Sequence, residues 1–467
     1  MKITFCGAAQ TVTGSKHLIT LNNGKKVLLD CGMFQGMGKD TDSLNRNFGF
    51  NPYEIDYVVL SHAHVDHSGL LPRLVKEGFK GKIYATSATI DITKALLLDS
   101  AYIQKQDIHF LNKKRLEEGR PLLQPFYTEE DVRKTFEFFH PVDYNLPYAI
   151  DEDVEIQLFD VGHIIGSATV FLKIKESGRV FRIAFSGDVG RYRDPILRSP
   201  QQFPQADYII LESTYGNKIH GPIETYAEDL KRNIQETCIG KKGKLIIPAF
   251  SVGRTQELLY ALNELHLNGE LSPIDCYVDS PLSTTITEIV KSHAECFNKS
   301  VQKLMKKDSD PFYFPGLRYI TDKRDSQALN FNTKPCVIIS ASGMAEAGRV
   351  KHHIANSIEN WRNTILLIGY CEPQSLGARL KTHPEEVGIF GNRYQVNATI
   401  HTINSMSAHA DYNDLCQYLA CQDYAEVKQL FIVHGEPDVQ MDFKVRLMKK
   451  GFKDILIPEQ FQECGLT

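Results

Sequence analysis

The sequence has no run of apolar residues long enough to span a bilayer, which excludes a protein anchored by a membrane-crossing helix. It also lacks the charged start, apolar stretch and small-residue cleavage site of a secretory signal. Met1-Lys2-Ile3-Thr4-Phe5 reads directly into a strand instead, so no signal peptide and a cytoplasmic location are expected. Its 10 cysteines contain no pair at C-x-x-C spacing, and free buried thiols in a reducing compartment are expected over a disulfide framework. There is no basic excess. The net charge is −4 at pH 7, whereas nucleic-acid binders often carry a positive balance; a local basic channel remains compatible with this total. There is no internal repeat and no low-complexity tract. The single tryptophan, Trp361, reads as a core residue rather than a base-stacking platform.

What is present is ordinary globular composition over 467 residues, 42% hydrophobic and 24% charged, enough for two or three structural units. In the first half, short apolar runs end in polar residues: Val27-Leu28-Leu29-Asp30, Tyr57-Val58-Val59-Leu60-Ser61, Val180 to Ser186 and Asp207 to Glu212. Runs of that length bounded by turns suit buried strands. In α/β architectures the edge where such strands end is where ligands sit. Helices are expected from Asp66 through Leu74-Val75 and over Thr89 to Asn112, with a polar loop or insertion from Arg115 to Pro125. From Lys244 onward, strands and helices alternate through Asp275-Cys276-Tyr277-Val278 and Val337-Ile338-Ile339-Ser340, which predicts a second, parallel-sheet domain. A late strand, Gln429 to Val433, ends in His434 and points back towards the first domain.

The densest chemistry is Ser61-His62-Ala63-His64-Val65-Asp66-His67, an H-x-H-x-D-H pattern. Imidazole and carboxylate are the donors a borderline cation such as zinc prefers. The H-x-H spacing puts His62 and His64 on one side of an extended segment, within reach of one ion. A turn into a helix lets Asp66 and His67 reach a second ion. A surface loop rich in histidine is the bland alternative, and it fits poorly directly after a buried strand. His163, between Gly162 and Gly166, could alone be a packed core residue. Asp188, in Ser186-Gly187-Asp188, could alone cap a turn.

Taken together, H-x-H-x-D-H, a later G-H, a later S-G-D and a late histidine resemble the metallo-β-lactamase-fold hydrolases. Glu212 in Leu211-Glu212-Ser213-Thr214-Tyr215-Gly216-Asn217, His409 in Ser407-Ala408-His409-Ala410-Asp411, and His434 in Val433-His434-Gly435-Glu436 resemble motifs A, B and C of the β-CASP nucleases. The resemblance runs from Gly7-Ala8-Ala9 to His434-Gly435-Glu436. It implies two zinc ions per chain, one held by His62, His64 and His163 and the other by Asp66, His67 and His434, with Asp188 bridging them. It further implies that Asp30 supports the ligand loop, that Glu212 orients His409, and that His409 touches the scissile phosphate or protonates the leaving oxygen. A hydroxide shared by two zinc ions would be the nucleophile. Asp66, Asp188, Glu212 and His409 are therefore the expected catalytic group.

The fold implied is an αββα sandwich with an inserted parallel-sheet β-CASP domain. The expected boundaries are 1–217 for the first part of the sandwich, 218–370 for the insertion and 371–467 for the returning part. Within the insertion, Arg254 after Ser251-Val252-Gly253, and Ser342, Gly343 and Arg349, are the expected phosphate or RNA holders. Arg254 could equally be a surface arginine. Asp279-Ser280-Pro281-Leu282 is expected to be structural, and His352, His353 and His383 to lie at the surface or in local hydrogen bonds. The reading is a zinc-dependent ribonuclease acting endonucleolytically on single-stranded RNA. DNA hydrolysis at the same site and 5′ exoribonuclease action are the alternatives. A histidine at motif C is the RNA-type residue, where DNA-repair members resemble a pattern with an apolar one. No KH-like segment and no separate C-terminal domain are expected, and a homodimer is left open.

Overall fold

The computed structural model describes residues 1–467 other than 222–225, 370, 372, 373, 404 and 405. The chain divides into two compact units. One combines Met1–Tyr192, Arg198–Ile219 and His409–Thr467, and the other Arg193–Leu197 and His220–Ala408.

In the first unit, two sheets carry the core. One runs in the order Glu463–Gly465, Lys2–Gly7, Lys16–Thr20, Lys26–Leu29, Tyr57–Val59, Lys82–Ala85, Phe139–Pro141. The other runs Ile455–Leu456, Gln429–Val433, Tyr208–Glu212, Arg179–Phe185, Ala168–Glu176, Val154–Asp160, Tyr148–Ala149. Alternation along each strand decides the layering. Val27, Leu29 and Val59 point inward with Ile3 and Phe5, and share one core with Leu158, Val170, Ile183, Ile210 and Phe431 of the other sheet. Leu28 and Val58 point outward and pack with Leu71, Leu74, Ile90 and Leu97 of the covering helices. On the far side, Ile209, Leu211 and Ile432 pack with Leu415, Phe443 and Leu447. The layers are therefore helix, sheet, sheet, helix, as the motifs imply.

Parallel pairing fixes where the site lies. Lys26–Leu29 pairs parallel with Tyr57–Val59, and Tyr208–Glu212 pairs parallel with both Arg179–Phe185 and Gln429–Val433. Within each of these groups the strands end on a common edge; Glu212 is the last residue of its strand, and Asp30, the His62 loop, Asp188 and His434 lie just past the ends of theirs.

Secondary structure departs from expectation in two places. The long helix covers Ser87–Glu117, capped by the Thr86 hydroxyl, and only its residues up to Ala101 are buried; the polar stretch expected to be loop from 115 therefore begins as helix. The region from Asp66 to Val75 is two short helices, Val65–Ser68 and Leu71–Lys76.

The second unit is built on a parallel sheet in the order Leu317–Tyr319, Asp275–Val278, Cys336–Ser340, Lys244–Pro248, Thr364–Ile368, Thr399–Ile403. The last pairing moves a boundary. Thr399–Ile403 is in register with Thr364–Ile368, so the second unit extends to Ala408 rather than ending at 370. Tyr370 itself lies outside the described residues. Trp361 is not a core residue. It is 62% exposed, in a surface turn with the Arg362 guanidinium over its ring. All ten cysteines are free. No helix among the described residues is long and apolar enough to cross a membrane.

Candidate metal centre

The ligand loop is held rigidly by its backbone. His64 precedes the helix Val65–Ser68, and its carbonyl accepts from the N–H groups of His67 and Ser68, both at 2.9 Å. The carbonyls of Val65, Asp66 and His67 accept from Met33 (3.0 Å), Ser15 (2.8 Å) and Cys31 (2.7 Å). Gly32 lies so close beneath this helix that a Cβ there would stand 1.6 Å from the Asp66 carbonyl oxygen; only glycine fits.

Two clusters of donor atoms result. His64 Nδ1 is 3.2 Å from both His62 Nε2 and His163 Nε2, and Asp188 Oδ2 is 3.5 Å from His62 Nε2 and 3.6 Å from His163 Nε2. In the second cluster, His67 Nε2 is 3.3 Å from His434 Nε2, and Asp66 Oδ2 is 3.5 Å from His434 Nε2 and 4.0 Å from His67 Nε2. Asp188 turns its other oxygen here, with Oδ1 3.3 Å from His67 Nε2. These groupings satisfy the geometric requirement for a metal-holding set. A tetrahedral ion with bonds of about 2.0–2.1 Å separates its donors by about 3.3–3.4 Å, and most of these spacings fall near that edge length.

The donor chemistry agrees. Asp30 is fully buried. Its Oδ2 lies 2.6 Å from His67 Nδ1 and accepts from the Ser61 hydroxyl at 2.8 Å, and its Oδ1 accepts from the Ser61 N–H at 2.7 Å. With Nδ1–H of His67 donated to Asp30, the neutral ring would present a lone pair at Nε2. His434 Nδ1 lies 3.1 Å from the Thr214 hydroxyl, so its Nε2 can do the same. Two lone pairs facing at 3.3 Å repel unless a cation or a proton lies between them. Asp188 Oδ1 is buried and makes no hydrogen bond, which is costly for a carboxylate oxygen without a positive partner. The residues present therefore fit a pair of divalent cations.

Burial keeps the imidazoles of the first cluster neutral. It is the largest influence on His62, pulled down to about 3, and on His64, pulled down to about 4. Burial also disfavours charge on His67, but Asp188 and Asp30 outweigh it and raise that ring well above the ordinary histidine range. Asp66 and Asp188 are held below the usual carboxylate range by the neighbouring imidazoles, against the opposing effect of burial.

Glu212 is fully buried at its strand end. Its Oε1 accepts from the Val189 N–H, and its Oε2 is 3.3 Å from His409 Nδ1. Burial would lower the His409 pKa, but Glu212, with Asp188 and Asp66, raises it to about 9. The His409 ring lies 4.6 Å from the His163 ring, centroid to centroid, so the pair stands beside the first cluster. All of Asp30, His62, His64, Asp66, His67, His163, Asp188, Glu212, His409 and His434 thus meet in the first unit.

The expected phosphate holders belong to the second unit, where each has partners within the unit. Arg254 is buried and ion-paired with Glu257 one turn along its helix. Arg349 donates to the buried carboxylate of Asp279 at 2.7 Å and to the carbonyls of Ile320 and Thr321. Ser342 exchanges hydrogen bonds with the Ala347 backbone, and a Cβ on Gly343 would strike the Phe250 ring. Asp279 is structural, as expected: it also accepts from Ser326 and lies 2.5 Å from His353 Nε2. His353 is accordingly buried, while His352 is exposed and stacks on Phe390. Sequence reasoning gave no role to Ser61 or Thr214, although both lie inside quoted motifs. A hydroxyl within two positions of a candidate ligand histidine or a motif glutamate is the signal that could have found them.

An αββα sandwich whose strand ends converge on two bridged His/Asp clusters defines a hydrolase of the metallo-β-lactamase superfamily. The description of that superfamily matches residues 17–227, that of the Beta-Casp domain matches 255–380, and that of the Zn-dependent metallo-hydrolase RNA specificity domain matches 393–458. The chain is 34% identical to Ribonuclease TTHA0252 of Thermus thermophilus over 94% of both chains. It is 29% identical to an RNase J-like protein of Methanocaldococcus jannaschii, over 96% of this chain and 95% of that one. It is 28% identical to the transcription termination factor FttA of Methanosarcina mazei, over 96% of this chain and 69% of the longer relative. The chain belongs to the β-CASP ribonuclease family.

Proposed function

We propose that this protein is a zinc-dependent ribonuclease that hydrolyses phosphodiester bonds within single-stranded RNA. The observation that carries the reading is the pair of donor clusters joined by Asp188, with the His409–Glu212 pair beside them. Donor sets of imidazole and carboxylate near tetrahedral spacing suit zinc. Two such ions, when bound, would polarise phosphoryl oxygens and lower the pKa of bound water.

His62, His64 and His163 would hold one ion, Asp66, His67 and His434 the other, and Asp188 both. Asp30 and Ser61 keep the ligand rings in the tautomers that leave donor nitrogens facing inward. Burial opposes charge on His409, but Glu212, with Asp188 and Asp66, raises its pKa and so favours the protonated ring. Its Nδ1 is committed to Glu212, so the proton passed to a leaving oxygen comes from Nε2. The side chain is 22% exposed, which leaves it open to a substrate. An RNA substrate is supported by the relative named a ribonuclease and by the match to an RNA specificity domain.

The test is cleavage of end-labelled single-stranded RNA and of matched DNA by zinc-loaded protein, with His434→Ala as control. Internal cuts in RNA alone, lost in the control, are expected. Equal cutting of DNA would overturn the substrate, and mononucleotide release from the 5′ end would overturn the endonucleolytic mode.

A further inference from the structure

Lys16 is fully buried, which is rare for a lysine that is not ion-paired. Among the described residues no carboxylate lies within ion-pair distance of it. Its Nζ donates to the carbonyls of Gly14 at 2.9 Å and Gly32 at 2.8 Å, and lies 4.3 Å above the Phe34 ring. Gly7 packs against it, where a Cβ would come within 3.2 Å of Nζ. Burying an ammonium with two carbonyls and one aromatic face as its partners is costly, and the two loops that it joins suggest what the cost supports.

Those loops form the cradle of the ligand helix. Ser15, next to Gly14, donates its N–H to the Asp66 carbonyl, and Cys31 and Met33, on either side of Gly32, donate to His67 and Val65. Gly32 also donates to the Ser15 carbonyl at 2.9 Å, so the two loops are joined to each other as well as to the helix. Two residues of the other donor cluster are held differently, while His64 is tied to this helix through its carbonyl. The ring of His62 rests on the Ser61 hydroxyl and the backbone of His163 on the Ser167 hydroxyl. We infer that Lys16 is a positioning residue that fixes the Asp66–His67 half of the metal centre by clamping the Gly14 and Gly32 carbonyls beneath it. A cation at this place repels other cations, so its contribution to metal binding is geometric rather than electrostatic.

This inference rests on the two-metal reading above, and one experiment separates them. Zinc content and chelator competition are measured on the full chain as wild type, Lys16→Met and Lys16→Gln, with folding checked by circular dichroism and cobalt(II) absorption as a second signal. Wild type is expected to hold two ions. Lys16→Met should release one of them at roughly 10–100-fold lower chelator concentration, the size seen when a residue supporting a metal ligand is lost, and weaken the other markedly less. Lys16→Gln retains an N–H donor and should fall between. Equal weakening of both ions, or of neither, would overturn the positioning role. Failure of both variants to fold would also overturn it, by making Lys16 a folding residue. Fewer than two ions on wild type would remove the two-metal reading itself.

Discussion

His409 Nδ1 stands 3.3 Å from Glu212 Oε2 and 3.9 Å from Asp188 Oδ2. One histidine thus faces both the carboxylate that would charge it and the carboxylate that joins the two donor clusters. His409 belongs to none of the donor groups, so the proposed function gives it the proton and leaves the metal to the other histidines.

Replacing His409 by alanine is therefore expected to lower the cleavage rate by about 10²–10⁴-fold, the usual worth of general acid–base catalysis, with both zinc ions retained. Rate measurements alongside elemental analysis check this. Loss of zinc in the variant would refute the division of roles.

His62→Ala is expected to behave in the opposite way. It removes one donor of the first cluster, so cleavage should vanish and zinc content should fall, as read by the same two measurements.

Asp30 touches no reacting atom, yet it fixes the rings of His67 and, through Ser61, His62. Asp30→Asn is expected to weaken zinc binding about 10–100-fold in a chelator titration.

His17 makes a pH prediction for the metal-free protein. Its ring is wedged between Phe5 and Phe185, and neither nitrogen has a hydrogen-bond partner among the described residues. Burial pulls its pKa down to about 3 from 6.5. Between those values the unfolded chain binds a proton that the fold does not, so stability falls as pH drops through the window. His17→Leu should flatten the acid side of a urea-midpoint-against-pH curve by about one proton. An unchanged slope would show that this ring does not titrate on unfolding.

Much of the site was legible in the sequence because its densest part is local. His62, His64, Asp66 and His67 lie within six residues; of the distant candidates, Asp188 and His434 follow recognisable strand ends, and His163 is marked only by the glycines around it. What was not legible depends on pairings remote in sequence. Asp279 pairs with Arg349 from 70 positions away, which no local pattern announces. The second unit runs past 370 because Thr399–Ile403 adds to the sheet beside Thr364–Ile368, and edge pairing leaves no mark on hydropathy. Lys16 is polar in sequence and core in space, because its partners are carbonyls of glycines on two different loops.

The strand Gln429–Val433 lies beside Tyr208–Glu212, and the ring that follows it faces His67 from 367 residues further along the chain. The second donor cluster therefore closes only once this late strand is in place. A chain cut short before it would keep every donor of the first cluster and lack one of the second.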